Sequence, residues 1–264
     1  TPPGTRGMAS PLPDDHLPVD PAILAAAPKA ELHVHVEGTL TADLAFALAR
    51  RNGVALPWES PADLRRALHF RDLQGFLDVY YATAAVLRTA DDFHDLAWNY
   101  LLDARRDNVV RAEIFFDPQT HTARGVPFAE VIGGLSRAID RAGPELGLSA
   151  ALVMCFLRHL PEADAIATLE EAAPFRERII GVGLDSGERG NPPERFGEVF
   201  ASVHSDDPAF FGGGIGTTYR ETAAALGLSR GEARRLLRHS LESAFWEPRE
   251  ATPHVERLEA LFGA

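Results

Sequence analysis

Three observations make this sequence an α/β protein of the TIM-type (β/α)-barrel kind, with parallel strands inside and helices outside. The first is Glu31-Leu32-His33-Val34-His35-Val36-Glu37-Gly38, which alternates without a break. Leu32, Val34 and Val36 fall on one face, and Glu31, His33, His35 and Glu37 on the other. A strand with one ionisable face, leading a run of amphipathic helices, suits a barrel wall whose histidines point inward. The second is that strand-length and helix-length stretches alternate along the chain, and crossovers of helix length join parallel strands. The third is that polar residues gather just past strand ends, where barrel sites form.

Residues 1–28 are proline-rich (Pro2, Pro3, Pro11, Pro13, Pro18, Pro21 and Pro28) and lack a helical period. They are expected to form a disordered tail, leaving 29–264 as a single domain. The first strand covers 31–36. Helices are expected near 41–52 and 61–68, then at 72–88 and 91–107, where Phe76, Val79, Tyr80 and Leu87 recur at helical spacing. Val109–Asp117 reads as a second strand stopped by Pro118. A helix at 127–143, with Val131, Leu135 and Ile139 on one face, leads to a third strand at 148–157. Pro161 opens a helix over 161–173, and Ile179–Leu184 forms a fourth strand running into Asp185-Ser186-Gly187-Glu188. A helix at 194–201 precedes a very short strand candidate at 203–206. The rest is helical, with a capping box at Ser229-x-x-Glu232. Five strands cannot close an eight-strand barrel without a large change of shear and tilt.

The composition, 45% hydrophobic and 24% charged over 264 residues, supplies one sizeable core. A net charge of −12 argues against nucleic acid or an anionic membrane as partner. The one cysteine, Cys155, lies in the apolar run Leu152-Val153-Met154-Cys155-Phe156-Leu157 and reads as a buried thiol. No apolar run approaches a membrane span and no basic-then-apolar leader opens the chain, so a cytoplasmic location is expected.

Two imidazoles at i and i+2 on a strand can reach one Zn²⁺ at about 2.0–2.1 Å each. The same spacing also suits two core histidines satisfied by hydrogen bonds. Ser205-Asp206-Asp207-Pro208 stands before Gly212, Gly213 and Gly214, and adjacent aspartates before a proline suit a turn or a helix cap as well as a site. In a barrel, a first-strand His-x-His and a last-strand Asp can meet across the top. His204 shares a strand face with Asp206 and is either an extra metal ligand or an incidental polar residue. His121 and His159 lie just beyond strands two and three, where capping or loop hydrogen bonds are their expected use.

Six stretches taken together carry a resemblance to a known family. They are His33-Val34-His35-Val36-Glu37-Gly38-Thr39-Leu40, Phe76-Leu77-Asp78-Val79-Tyr80-Tyr81, Phe115-Phe116-Asp117-Pro118-Gln119-Thr120-His121-Thr122, Phe156-Leu157-Arg158-His159-Leu160, Gly181-Val182-Gly183-Leu184-Asp185-Ser186 and Ser205-Asp206-Asp207-Pro208. In these the chain resembles the adenosine/adenine deaminases, zinc-dependent purine aminohydrolases among the metal-dependent amidohydrolase barrels, and most of all the bacterial-type adenine deaminases. The resemblance implies that His33, His35 and Asp206 ligate Zn²⁺. It implies that Asp207 contacts the purine and that the turn from Asp185 and Ser186 to Glu188 lines the base pocket. Glu37 stands where adenosine-specific relatives carry a shorter Asp that meets the ribose, so the longer carboxylate implies a pocket for the free base.

The same resemblance implies a gap. Between 181–200 and 205–208, relatives carry three further β/α units, on the order of a hundred residues. These units include a His-Ala-Gly-Glu strand end, with the third metal histidine and the Glu proton shuttle, and a later strand with another catalytic histidine. Here four residues separate Phe200 from Ser205. Strands five to seven are expected to be missing, and Glu188 is the nearest stand-in for the shuttle, a remote one. The expected function is zinc-dependent hydrolytic deamination of a 6-aminopurine, adenine before adenosine, with turnover impaired. The other reading is a non-catalytic purine- or metal-binding remnant completed by a partner chain. An open barrel edge is expected to favour self-association.

Overall fold

A computed structural model describes residues 18–187, 190 and 215–263. Its centre is one parallel sheet of four strands in chain order: β1 (Lys29–His35), β2 (Val109–Phe116), β3 (Ser149–Leu157) and β4 (Ile179–Asp185). Before β1 lies α1 (Pro21–Ala26). Between β1 and β2 run α2 (Ala42–Asn52), α3 (Pro61–Ala67), α4 (Leu73–Ala84) and α5 (Ala90–Arg106). Helices α6 (Pro118–Thr122) and α7 (Phe128–Leu146) join β2 to β3, and α8 (Glu162–Ala172) joins β3 to β4. The chain closes with α9 (Ile215–Leu226), α10 (Arg230–Ser243) and α11 (Pro248–Gly263). The parallel order is that of an incomplete barrel, as the sequence predicts. The helix expected at 194–201 and the strand stub expected at 203–206 lie outside the described residues.

Helix starts are set by side chains that satisfy otherwise unpaired N–H groups. Thr41, Ser60 and Asp72 each accept from the backbone three residues on, and Thr89 with Asp92 and Ser229 with Glu232 form capping boxes. Alternation along the strands then sends Val34, Ile114, Phe116, Leu152 and Met154 outward, where they bury against Leu48, Phe93, Leu96, Val131 and Leu135 of the helices. Helices α5 and α7 pack closely, and Gly134 permits it: a Cβ there would lie 2.2 Å from the Ala90 carbonyl oxygen.

The segment expected to be disordered is helical over Pro21–Ala26, a correction to the boundary at residue 28. Asp20 accepts from the Ala22 N–H at 2.8 Å, and Leu24 docks with Leu32, Leu237, Leu241 and Leu258 in a second core. Six residues are too few to display a helical period, which is why composition alone points to a tail.

Lys29 is fully buried, and its Nζ donates to the carbonyls of Ala27 and Asp107 at 2.9 Å each. Burial pushes its pKa down to about 8, against the opposing pull of Asp107. The unfolded chain therefore holds this proton up to about pH 10.5 and the folded chain only to about 8. Stability should rise with pH between those values. Urea titrations of the wild type and Lys29→Met across this range are expected to differ in that slope, and parallel curves would refute the assignment.

Candidate active site at the strand ends

The carboxyl ends of β1–β4 open into a cleft of about 370 Å³. One wall is aromatic (Phe76, Tyr80 and Tyr81), and facing it are His33, His35, Asp117, Arg158, Asp185 and Ser186. Alternation explains the polar side. His35 points inward from the end of β1, Asp117 follows β2, and Asp185 ends β4.

His35 Nδ1 stands 3.3 Å from Asp185 Oδ2 and 3.7 Å from Asp117 Oδ1. Tyr80 donates its hydroxyl to Asp117 Oδ2 at 3.0 Å. Burial alone would raise the Asp117 carboxyl, but the His35 imidazole beside it, with help from Asp185 and Tyr80, brings it down to about 2. Asp185 goes the other way, well above the usual carboxylate range, through burial and the Asp117 charge beside it. Two carboxyls pressed together settle with one ionised and one protonated.

Behind the cleft lies a buried polar network. Glu37 is 1% exposed and does not line the cleft; its Oε1 accepts from the Asp117 N–H at 3.1 Å and from His121 at 2.9 Å. The His121 tautomer follows from its other neighbour. Arg124 Nη2 donates to His121 Nδ1 at 2.7 Å, so the ring proton sits on Nε2 and is given to Glu37. Replacing His121 with Ala leaves a buried carboxylate short of a donor, expected to cost about 3 kcal/mol. Urea midpoints check this, and a loss below about 1 kcal/mol would show that Glu37 finds another donor.

The remaining expected residues fall as follows. His33 lines the cleft with its ring stacked on Phe115, centroids 4.3 Å apart, and 5.4 Å from the His35 ring. Ser186 adopts φ 74°, a left-handed conformation unusual for a side chain, and its Oγ lies 3.0 Å from Tyr81 Oη and 2.9 Å from His159 Nδ1. His159 and His121 thus make loop and buried hydrogen bonds, as the sequence predicts. Glu188, His204, Asp206 and Asp207 lie outside the described residues.

Sequence reasoning gives no site role to Asp117 or Cys155. Cys155 is buried, as expected, but its thiol faces inward on β3. His35, Asp117, Cys155 and Asp185 each offer a donor atom, and these atoms lie within 4.8 Å of one another. Asp117 Oδ1 and Asp185 Oδ1 are buried with no hydrogen-bond partner among the described residues. Orphaned carboxylate oxygens beside an imidazole and a thiol fit a divalent cation of the Zn²⁺ type. Asp117, as the residue that ends the second strand, occupied a position where barrels place functional groups; that signal was available.

A family profile described as adenosine deaminase matches residues 28–201. The chain is 63% identical over 181 residues to an adenine deaminase of Trichlorobacter lovleyi, covering 69% of this chain and 52% of that protein. It spans about half the length of the curated relatives it matches at this level. A longer alignment with an adenine deaminase of Ralstonia nicotianae runs over 324 positions at 41% identity, covering 87% of this chain and 94% of the relative. Since 87% of 264 residues is about 230, roughly ninety of those positions have no counterpart here. That is the size of three β/α units, and the profile match ends at residue 201, where the expected gap begins.

Among solved structures, an adenine deaminase from Arthrobacter aurescens superposes with a TM-score of 0.86 at 30% identity, covering 90% of this chain and all of that one. An amidohydrolase from Burkholderia ambifaria, solved with bound Zn, shares the fold with a TM-score of 0.80 at 18% identity, covering 91% of this chain and 93% of that one. No helix among the described residues is long and apolar enough to cross a membrane.

Proposed function

This chain belongs to the adenosine deaminase family, and on that footing we propose that it binds Zn²⁺ and a 6-aminopurine, adenine before adenosine, with impaired deaminase turnover. The observation that carries the reading is the cleft at the strand ends. Its aromatic wall of Phe76, Tyr80 and Tyr81 suits a flat ring, and the polar groups opposite suit the ring's donors and acceptors. Ser186, tied to Tyr81 and His159, meets the edge of the base, with Asp185 beside it and Asp207 as the contact the family resemblance implies. His33, His35 and Asp206 are the ligands that resemblance implies for the metal. Zn²⁺, when bound, brings the pKa of its water toward ~7.

Impairment follows from the sequence. No His-Ala-Gly-Glu stretch occurs anywhere in the 264 residues, so the proton shuttle of the family has no counterpart. A specific observation favours the second reading, a binding remnant completed by a partner. Ile180 and Val182 of β4 are 43% and 49% exposed, leaving the strand where the missing units would begin with an apolar outer face. A second copy docked there would cover it. The cellular location consistent with purine chemistry is the cytoplasm.

Titration calorimetry tests the substrate assignment. Zinc-loaded protein is expected to bind adenine more tightly than adenosine, and Glu37→Asp to shift the ratio toward adenosine. Glu37 would act from behind the cleft, through the Asp117 N–H and His121 that it holds. Equal affinity for base and nucleoside in the wild type counts against the free-base reading; no heat with either sinks the purine reading itself.

A further inference from the structure

We infer that Asp117 is the residue that tells free base from nucleoside in this cleft, its Oδ1 accepting the ring N–H that a purine loses when a sugar is attached there. The inference rests on the reading that the cleft binds a 6-aminopurine, and it names the side chain that reads the ring.

Asp117 follows β2 at the N-cap of α6, where an aspartate ordinarily accepts from the first turn of its helix; here the side chain makes no such bond. It lines the cleft instead. Two groups fix it there. Glu37 Oε1 accepts from the Asp117 backbone N–H at 3.1 Å, and the Tyr80 hydroxyl donates to Asp117 Oδ2 at 3.0 Å. Tyr80 also belongs to the aromatic wall. The carboxylate is therefore held in a set relation to the surface on which a flat ring would stack.

Its second oxygen is unspent. Asp117 is 2% exposed, yet Oδ1 has no hydrogen-bond partner among the described residues. His35 Nδ1, at 3.7 Å, is too far to serve as one. A carboxylate oxygen only accepts, and one buried without a donor costs free energy. An N–H brought by a ligand meets that need with a charge-assisted bond, roughly twice as strong as a neutral one.

Base and nucleoside differ at this point. Adenine carries one N–H on its five-membered ring, whereas adenosine carries the ribose in its place and has no N–H there to give. The nucleoside brings a carbon toward Oδ1 and leaves the buried carboxylate unmet. A site built to bond an N–H rejects an analogue lacking it far more strongly than an apolar pocket rejects a poor fit. The same assignment gives Glu37 its route to the ligand, because a shorter side chain at position 37 releases the Asp117 N–H.

Calorimetry on the zinc-loaded, full-length chain tests this with adenine and 9-methyladenine, which lacks the N–H but carries no sugar. The wild type is expected to bind adenine at least tenfold more tightly. In Asp117→Asn, Tyr80 keeps the amide carbonyl and the amide nitrogen takes the place of Oδ1, so a donor meets a donor. Adenine should weaken tenfold or more, 9-methyladenine should change less than threefold, and zinc content should equal that of the wild type. Glu37→Asp added to Asp117→Asn should shift neither ligand further, because Glu37 acts through the residue already changed. Equal affinity of the wild type for the two ligands overturns the inference, needs no variant to fold, and leaves the purine reading standing. So does a preference for adenine that Asp117→Asn retains, which is steric exclusion of the methyl group, or one that disappears only in Asp185→Asn. Zinc lost from Asp117→Asn along with adenine assigns the oxygen to the cation and overturns it too. No heat with either ligand overturns both readings.

Discussion

Zinc-loaded protein, freed of host deaminase by two orthogonal tags, is expected not to release ammonia from adenine at an enzymatic rate. A positioned acid or base contributes about 10²–10⁴-fold, and the loss of one electrostatic group at the reacting centre costs a similar factor. Two of the groups absent with the gap are the Glu shuttle and a histidine that the family resemblance places at the reaction. Groups that act as a unit do not lose their contributions independently, so the two factors do not simply multiply; the loss of either leaves a poor catalyst. Asp117 and Asp185 do not replace the shuttle. Both lie against His35, and carboxyls already engaged with an imidazole are poorly placed to carry protons through the reaction. Turnover near 1 s⁻¹, in the ordinary range for enzymes, that vanishes in Asp206→Ala would sink the impaired reading. It would direct attention to Glu188 or to a partner chain as proton donor.

The contrast between what was legible and what was not has a physical basis. Hydrophobic period placed α2 to α5, α7, α8 and the four strands within a few residues, because each period is a local property of the chain; the five-residue α6 was too short to show one. The same alternation put His33, His35 and Glu37 on the inner face of one strand. Alternation does not say which inner residues meet, since that depends on the pairing of β1 with β2, β2 with β3 and β3 with β4. The family resemblance points Glu37 at substrate, whereas its carboxylate is hydrogen-bonded to His121, eighty-four positions along the chain. The apolar neighbours of Cys155 predict a core thiol, and it is buried, but an apolar run does not reveal the carboxyls and imidazole around it. A six-residue helix such as α1 carries too little period to stand out among prolines.

Gel filtration at micromolar concentration is expected to return at least twice the 28.7 kDa chain mass. The reason lies in β4. It closes one edge of the described sheet, so one side of its backbone offers unpaired hydrogen-bonding groups, a template for another strand. Its outer face adds Ile180 and Val182, and on α8, which precedes it, Ile166 and Leu169 are 54% and 48% exposed. Completely burying such a side chain stabilises by about 1.5–3 kcal/mol; four half-exposed ones offer on the order of 3–6 kcal/mol at most, or two to four decades in Kd. Association entropy offsets part of that, so a dimer in the micromolar range is the expected outcome rather than a tight complex. The double change Ile180→Lys/Val182→Lys places two charges on the same face and should return the chain to monomer mass, with helix content retained. A wild-type chain that elutes as a monomer and melts sharply would show that residues outside those described already cover this face. A wild-type dimer that survives the double change would place the contact elsewhere.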